Sequence, residues 1–212
     1  MSKEGFRFVE RDYEILREID RWRVITGRQI AEITGFTGQR ACDRRLQKLI
    51  QAKYITRQKY LYGFPSIYSL TNAGKIIIQA PKTTQQIRLE QIIHDSYVTD
   101  TAIYISKKFD IPFSSDITTE KELHRQDGFS NRKHRPDFVY NKNNRIICIE
   151  VELTMKAKSR FEKNITSNFE NYDGQLWIVP DMKCNIAKVL IKHQDIYPDI
   201  SITPLDEVKA NE

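Results

Sequence analysis

The stretch that most constrains this chain is residues 135–161, RPDFVYNKNNRIICIEVELTMKAKSRF. It reads as a strand, a polar turn, a second strand ending in two carboxylates, and the opening of a helix. From Arg145 to Leu153 the side chains alternate, with Ile147, Ile149, Val151 and Leu153 on one face and Cys148, Glu150 and Glu152 on the other. Like charges side by side on a strand face destabilise it unless a cation lies between them. A hairpin through Asn141-Lys142-Asn143-Asn144 would return Pro136-Asp137 alongside Glu150. Asp137, Glu150 and Glu152 would then form a hard-oxygen cluster suited to Mg²⁺ or Mn²⁺, with Lys156 close by.

Upstream, the pattern is helical and then strand-like. Tyr13, Leu16 and Ile19, with Ile15 and Trp22, give an amphipathic helix from Glu10 to about Trp22. Thr26 is a suitable N-cap for a second helix that buries Ile30, Ala31 and Ile33 and stops at Gly35. A third, from about Gly38 to Ala52, turns Cys42, Leu46 and Leu49 inward and presents Gln39, Arg40, Arg44, Arg45 and Lys48 on its other face. Tyr54–Arg57 and Ile67–Leu70 then read as two strands flanking a turn at Gly63-Phe64-Pro65. Three helices followed by a hairpin form a winged helix-turn-helix, whose basic third helix is the one that enters a DNA groove. Arg57 and Lys59 on the wing extend that candidate surface.

Charge agrees with this division. Residues 1–80 carry 15 Lys and Arg against 8 Asp and Glu, whereas residues 81–212 carry 19 against 20. The basic excess behind the net charge of +6 therefore lies where double-stranded DNA would be met. No apolar run approaches the roughly 18 residues of a membrane helix, and Met1-Ser2-Lys3-Glu4 opens no signal peptide, so a cytoplasmic protein is expected. Cys42, Cys148 and Cys184 are widely spaced and include no C-x-x-C pair, which argues against a disulfide framework or a structural zinc site.

The second half continues the strand and helix alternation. Thr71 begins a further short helix, Pro81-Lys82-Thr83-Thr84 reads as a hinge, and Gln85–Phe109 as a long helix in which His94 is a structural hydrogen-bonder. Ile117–Leu123 reads as a strand carrying Glu122, a possible further site carboxylate. Residues 124–135 read as a basic loop in which Arg132, Lys133 and Arg135 could hold a phosphodiester. Helices over Lys158–Tyr172 and Met182–His193 and strands over Gln175–Val179 and Ile200–Thr203 complete the order. The expected class is α/β, or α+β, with a helix-turn-helix domain over residues 1–80 and a mixed central sheet flanked by helices over residues 85–205.

Pro136-Asp137, Glu150-Val151-Glu152 and the following Lys156 resemble the PD-(D/E)XK core of restriction-endonuclease-like proteins. The position two residues after Glu150, where that core carries lysine, holds Glu152, and Lys156 is the nearest lysine. Glu152-Leu153-Thr154 with Lys156 and Arg160-Phe161 also resembles the replication-relaxation family, which includes MobC-type plasmid relaxases. That resemblance implies a winged helix-turn-helix joined to a nuclease fold, and a metal-dependent enzyme that nicks supercoiled plasmid origin DNA. Asp137, Glu150 and Glu152 would hold Mg²⁺ or Mn²⁺, Lys156 would act on the reacting phosphodiester, and Arg160 would lie nearby. A homodimer or other transfer proteins would be its partners. Relaxases also use tyrosine nucleophiles, for which Tyr140 and Tyr172 are candidates. The alternatives are a DNA-binding regulator of plasmid replication or transfer with an inactive nuclease fold, and a transposon-end endonuclease.

Overall fold

The computed structural model describes residues 6–81, 87–128 and 133–210. The chain divides into two compact units, residues 1–99 and 100–212.

The first unit begins with α1 (Glu10–Arg21), α2 (Gly27–Ile33) and α3 (Gln39–Gln51). Thr26 and Gln29 cap α2 reciprocally: Thr26 N donates to Gln29 Oε1 at 2.8 Å, and Gln29 N donates to Thr26 Oγ1 at 3.4 Å. Gly35, at φ +64°, takes the left-handed conformation that ends the turn after α2. Cys42, Leu46 and Leu49 are buried, as the spacing requires, and so are Ile15, Leu16 and Ile30 on α1 and α2. Strands β1 (Ile55–Gln58) and β2 (Ile67–Leu70) pair antiparallel, with Ile55 opposite Leu70. Thr71 then caps α4 (Asn72–Ile77) by accepting from Gly74 N. A Cβ on Gly74 would meet the Tyr54 carbonyl oxygen at 2.2 Å, so only glycine permits this approach.

A 3₁₀ turn, Leu89–Gln91, leads into α5 (Ile92–Phe109). The first turns of α5 are fastened to the first unit. Gln29 Nε2 donates to Ser96 O at 3.0 Å, Thr99 Oγ1 donates to Val24 O at 3.0 Å, and Arg23 pairs with Asp95 at 3.3 Å. The units therefore part inside α5, between Thr99 and Asp100. Of the expected hinge, Lys82, Thr83 and Thr84 lie outside the described residues. His94 hydrogen-bonds Asp95 through Nδ1 at 3.0 Å, a structural role.

In the second unit, α6 (Phe113–Asp116) precedes β3 (Ile117–Thr119). The strand expected through Leu123 stops at Thr119, and Glu120–Asp127 forms α7. The reason is a capping box: Thr119 N and Oγ1 both donate to Glu122 Oε2, at 2.8 and 2.9 Å, and this starts a helix. The remaining order is β4 (Phe138–Lys142), β5 (Arg145–Val151), α8 (Lys158–Asn171), β6 (Gly174–Val179), α9 (Asn185–His193), β7 (Ile200–Pro204) and α10 (Leu205–Lys209).

The five strands lie in the order β3-β4-β5-β6-β7. Pairing is antiparallel from β3 to β5 and parallel from β5 to β7. β5 is thus the strand at which the sheet changes from hairpin to crossover connections. Helix α8 makes the first crossover, and its Phe161 and Ile165 share a core with Trp177, Val179, Ile186 and Leu190.

Candidate functional site

Two features carry functional groups, one in each unit. In the first unit, α3 exposes Gln39, Arg40, Arg44 and Lys48, and Arg57 and Lys59 are exposed on and after β1. Gln39 Nε2 donates to Asp43 Oδ1 at 2.8 Å, and Lys59 Nζ lies 5.8 Å from the Tyr62 ring centre. Arg45 departs from the expected basic face. Its guanidinium forms a bidentate pair with Asp12, a carboxylate with no solvent exposure, and lies 4.9 Å from the Phe6 ring centre. Arg45 is therefore engaged with α1, because burying Asp12 requires a charged partner.

In the second unit the hairpin closes through Asn143 and Asn144, at φ +53° and +59°. Asparagine tolerates this left-handed turn, which matches the strand twist. The resulting register pairs Phe138 with Ile149 and brings Asp137 to the Glu150 end of β5, where Asp137 N donates to Ile149 O at 3.1 Å. Beyond β5 the ladder to β6 continues for one bond, Glu152 N to Ile178 O at 2.9 Å. Asp137, Glu150 and Glu152 accordingly gather at the carboxyl end of the strand where pairing changes from antiparallel to parallel.

Each carboxylate is compensated from within the chain. Asp137 Oδ2 accepts from Val151 N at 2.8 Å. Glu150, only 3% exposed, directs Oε1 toward His134 Nε2 at 2.6 Å and Asn168 Nδ2 at 3.0 Å. Lys156 Nζ stands 2.5 Å from Glu152 Oε2.

Burial pushes the Glu152 carboxyl above the usual carboxylate range. Lys156 pulls it down and the charges of Glu150 and Asp137 push it up again. For Lys156, burial alone would lower the ammonium, but Glu152, Glu150 and Asp137 outweigh it and hold it above the usual lysine value. The cation that the paired carboxylates require is thus supplied in part by the chain itself.

No sequence pattern singles out His134 or Asn168 as partners of Glu150. His134 stands between Lys133 and Arg135, whose charges dominate the local pattern. Asn168 gave a usable signal, because it follows Phe161 and Ile165 on the buried stripe of α8, where an amide requires a polar partner. Its Oδ1 is buried without a hydrogen bond.

Other candidates lie elsewhere. Glu122 is occupied in capping α7. Arg135 is 8% exposed, donating Nε to Asp127 Oδ2 and Nη1 to Lys133 O, each at 3.2 Å, so it is turned inward. Arg132 lies outside the described residues, and Arg160 is exposed on α8. Tyr140 is 7% exposed and stacks on Phe109, while burial first, and then the charges of Cys148, Asp127 and Glu150, push the Tyr172 hydroxyl up to about 12.

Among the described residues, no three carboxylate, imidazole or thiol groups converge closely enough to hold a metal ion. The donor set of Asp137, Glu150 and Glu152 nevertheless has the hard-oxygen chemistry that Mg²⁺ or Mn²⁺ takes. The residues fit such an ion in kind, with Lys156 and His134 standing against the same oxygens.

The replication-relaxation family model matches residues 16–163, a span that runs from α1 through the carboxylate edge into α8. The chain belongs to the replication-relaxation family. No curated protein and no solved structure matches it. Among the described residues, no helix is long and apolar enough to cross a membrane.

Proposed function

We propose that this chain acts on DNA in plasmid or mobile-element replication or transfer, binding the duplex through α3 and the β1–β2 hairpin as a winged helix-turn-helix. It would nick one strand at Asp137, Glu150, Glu152 and Lys156 as a PD-(D/E)XK-type site. Family membership supports the role in replication or transfer. The observation that carries the nicking reading is the gathering of these four residues at the end of β5, with Glu150 and Glu152 buried.

Asp137, Glu150 and Glu152 would hold the ion once their side chains turn from their present partners toward one point. A bound Mg²⁺ or Mn²⁺ supplies charge neutralisation at the phosphoryl oxygens and makes its water more acidic. Lys156, kept protonated by its carboxylate neighbours, places a positive charge where negative charge develops during phosphodiester cleavage. His134 and Asn168 fix the Glu150 carboxylate through Oε1 and leave Oε2 for another partner.

A second reading, a DNA-binding regulator without cleavage, is favoured by one observation: the carboxylates are already engaged by Val151 N, His134, Asn168 and Lys156. Incubating supercoiled plasmid with Mg²⁺ or Mn²⁺ separates the readings. Nicked circles that disappear with Glu150→Gln support the nicking enzyme, and linear product supports a double-strand cutter such as a transposon-end endonuclease. No cleavage, or equal cleavage by Glu150→Gln, removes the site and leaves the regulator.

A further inference from the structure

On the side of α3 turned toward α1, a groove of about 630 Å³ runs between the two helices. Val9, Phe36 and Ala41 line its apolar part, and Arg11, Arg44 and Lys48 supply its cations. Ala41, Arg44 and Lys48 share one face of α3 through i, i+3 and i+7 spacing. This face is distinct from the buried stripe of Cys42, Leu46 and Leu49, and Arg40 stands one turn before Arg44 on the same exposed side. Arg45 also borders the groove, but its charge is matched by Asp12. Glu10 is the remaining anion on the border, so three cations face one carboxylate.

Arg11 is held in place. Its guanidinium carbon lies 4.6 Å from the centre of the Phe36 ring, a cation–π arrangement that lowers the freedom of an exposed side chain while keeping its charge. Arg44 and Lys48 are exposed and form no ion pair among the described residues. Salt bridges within the unit therefore do not consume the positive potential of the groove. A fixed guanidinium beside two free cations complements an anion spaced along a line, and it does not require the hydrogen-bonding edges of a base.

We infer that this groove seats the sugar-phosphate backbone of duplex DNA, with Arg11, Arg44 and Lys48 each neutralising a phosphate. The inference rests on the DNA-binding reading above and assigns Arg44 and Lys48 of α3 to the backbone. Arg44 and Lys48 position the protein on the backbone. Arg11, on a helix outside the helix-turn-helix pair, becomes part of the interface. Phe36 is a positioning residue that acts through Arg11.

The test is fluorescence anisotropy of a labelled mixed-sequence duplex with the full chain, titrated across a range of salt. Wild type should bind with log affinity falling linearly in log salt. Arg11→Ala, Arg44→Ala and Lys48→Ala should each reduce the slope by about 0.9, the effect of one neutralised phosphate. Arg11→Lys should keep the wild-type slope with weaker binding, because charge remains and the stacked geometry is lost. Phe36→Ala should likewise weaken binding with little change in slope, and Glu10→Gln should strengthen it. Thermal melting of each variant confirms that the fold is retained.

An unchanged slope in Arg11→Ala, with wild type binding, would overturn the groove assignment and leave DNA binding intact. Wild type that fails to bind any duplex at low salt would overturn the DNA-binding reading and this inference together. If Arg11→Ala loses fold, Arg11→Lys and Glu10→Gln decide, and wild-type affinity in both would count against the groove.

Discussion

The two charged regions treat their charges in opposite ways. On α3, Arg40, Arg44 and Lys48 stand in solvent without ion pairs among the described residues, while Arg45, adjacent in sequence, is drawn into a buried pair with Asp12. At the end of β5, every carboxylate has been answered by a group of the chain itself. An exposed cation is cheap to leave unpaired because water solvates it, and it remains available to a partner. A buried carboxylate must be compensated where it stands, so any external ion has to compete with the groups already there. A surface of the first kind is ready to bind, whereas a site of the second kind must rearrange or exchange partners.

The largest effect should separate Arg45 from its neighbours. Removing one member of a buried ion pair typically costs about 3–5 kcal/mol, because the other is left without compensation. Arg45 is one-fifth exposed, so the lower end of that range is expected for Arg45→Ala. Arg40→Ala and Arg44→Ala should stay within about 0.5 kcal/mol of wild type. Urea melts of the three variants check this. Equal stability of Arg45→Ala and Arg40→Ala would break the contrast between inward and outward arginines.

Lys156 tests the other region. Its folded pKa is raised, so it favours the protonated folded state, a contribution fully present below the unfolded lysine value and lost as pH rises through the folded one. At neutral pH the ammonium is therefore stabilising, and Lys156→Met should lower Tm. Glu152 has the opposite consequence at neutral pH. Its raised carboxyl favours the protonated folded form, so its stabilisation is full below the unfolded value and disappears as pH rises through the folded value. With Lys156 gone, the carboxylates repel more strongly, and the Tm deficit of Lys156→Met should widen from acid toward neutral pH. Mn²⁺ should then stabilise Lys156→Met more than wild type if it takes the place of the ammonium. A deficit independent of pH would mean that Lys156 contributes packing alone.

The legible parts of the sequence were those fixed by local chemistry. Thr26, Gly35, Thr71 and the turn from Asn141 to Asn144 mark the ends of their elements, and the alternation read from Arg145 to Leu153 holds as a strand from Arg145 to Val151. Glu150 and Glu152 could be brought to one place with Asp137 because a two-residue hairpin has one register. What could not be read depends on distant partners. Asp12 lies 33 residues from Arg45, and Asn168 lies 18 from Glu150. No periodicity distinguishes an arginine that faces solvent from one that faces a buried aspartate. The same limit explains Arg135, whose basic surroundings suggested a phosphate contact although its side chain turns to Asp127.

Glu122 offers the smallest and most selective comparison, since the sequence marks it as a possible further site carboxylate and the structure engages it as a helix cap. Its Oε2 accepts from both Thr119 N and Thr119 Oγ1, while Thr119 Oγ1 accepts from Glu122 N at 3.3 Å. The interaction is local, within four residues, and independent of the charge balance at the end of β5. Glu122→Ala should therefore cost about 1 kcal/mol, the usual value of a lost capping interaction, and Glu122→Gln should recover most of it because an amide oxygen can accept the same bonds. Neither variant should alter Mn²⁺ affinity or plasmid nicking, in contrast to Glu150→Gln. Calorimetry with Mn²⁺ beside the plasmid assay would detect the difference. If Glu122→Gln keeps wild-type stability yet loses metal binding or nicking, the carboxylate acts beyond α7, and the boundary drawn between capping and site carboxylates would have to move to include it.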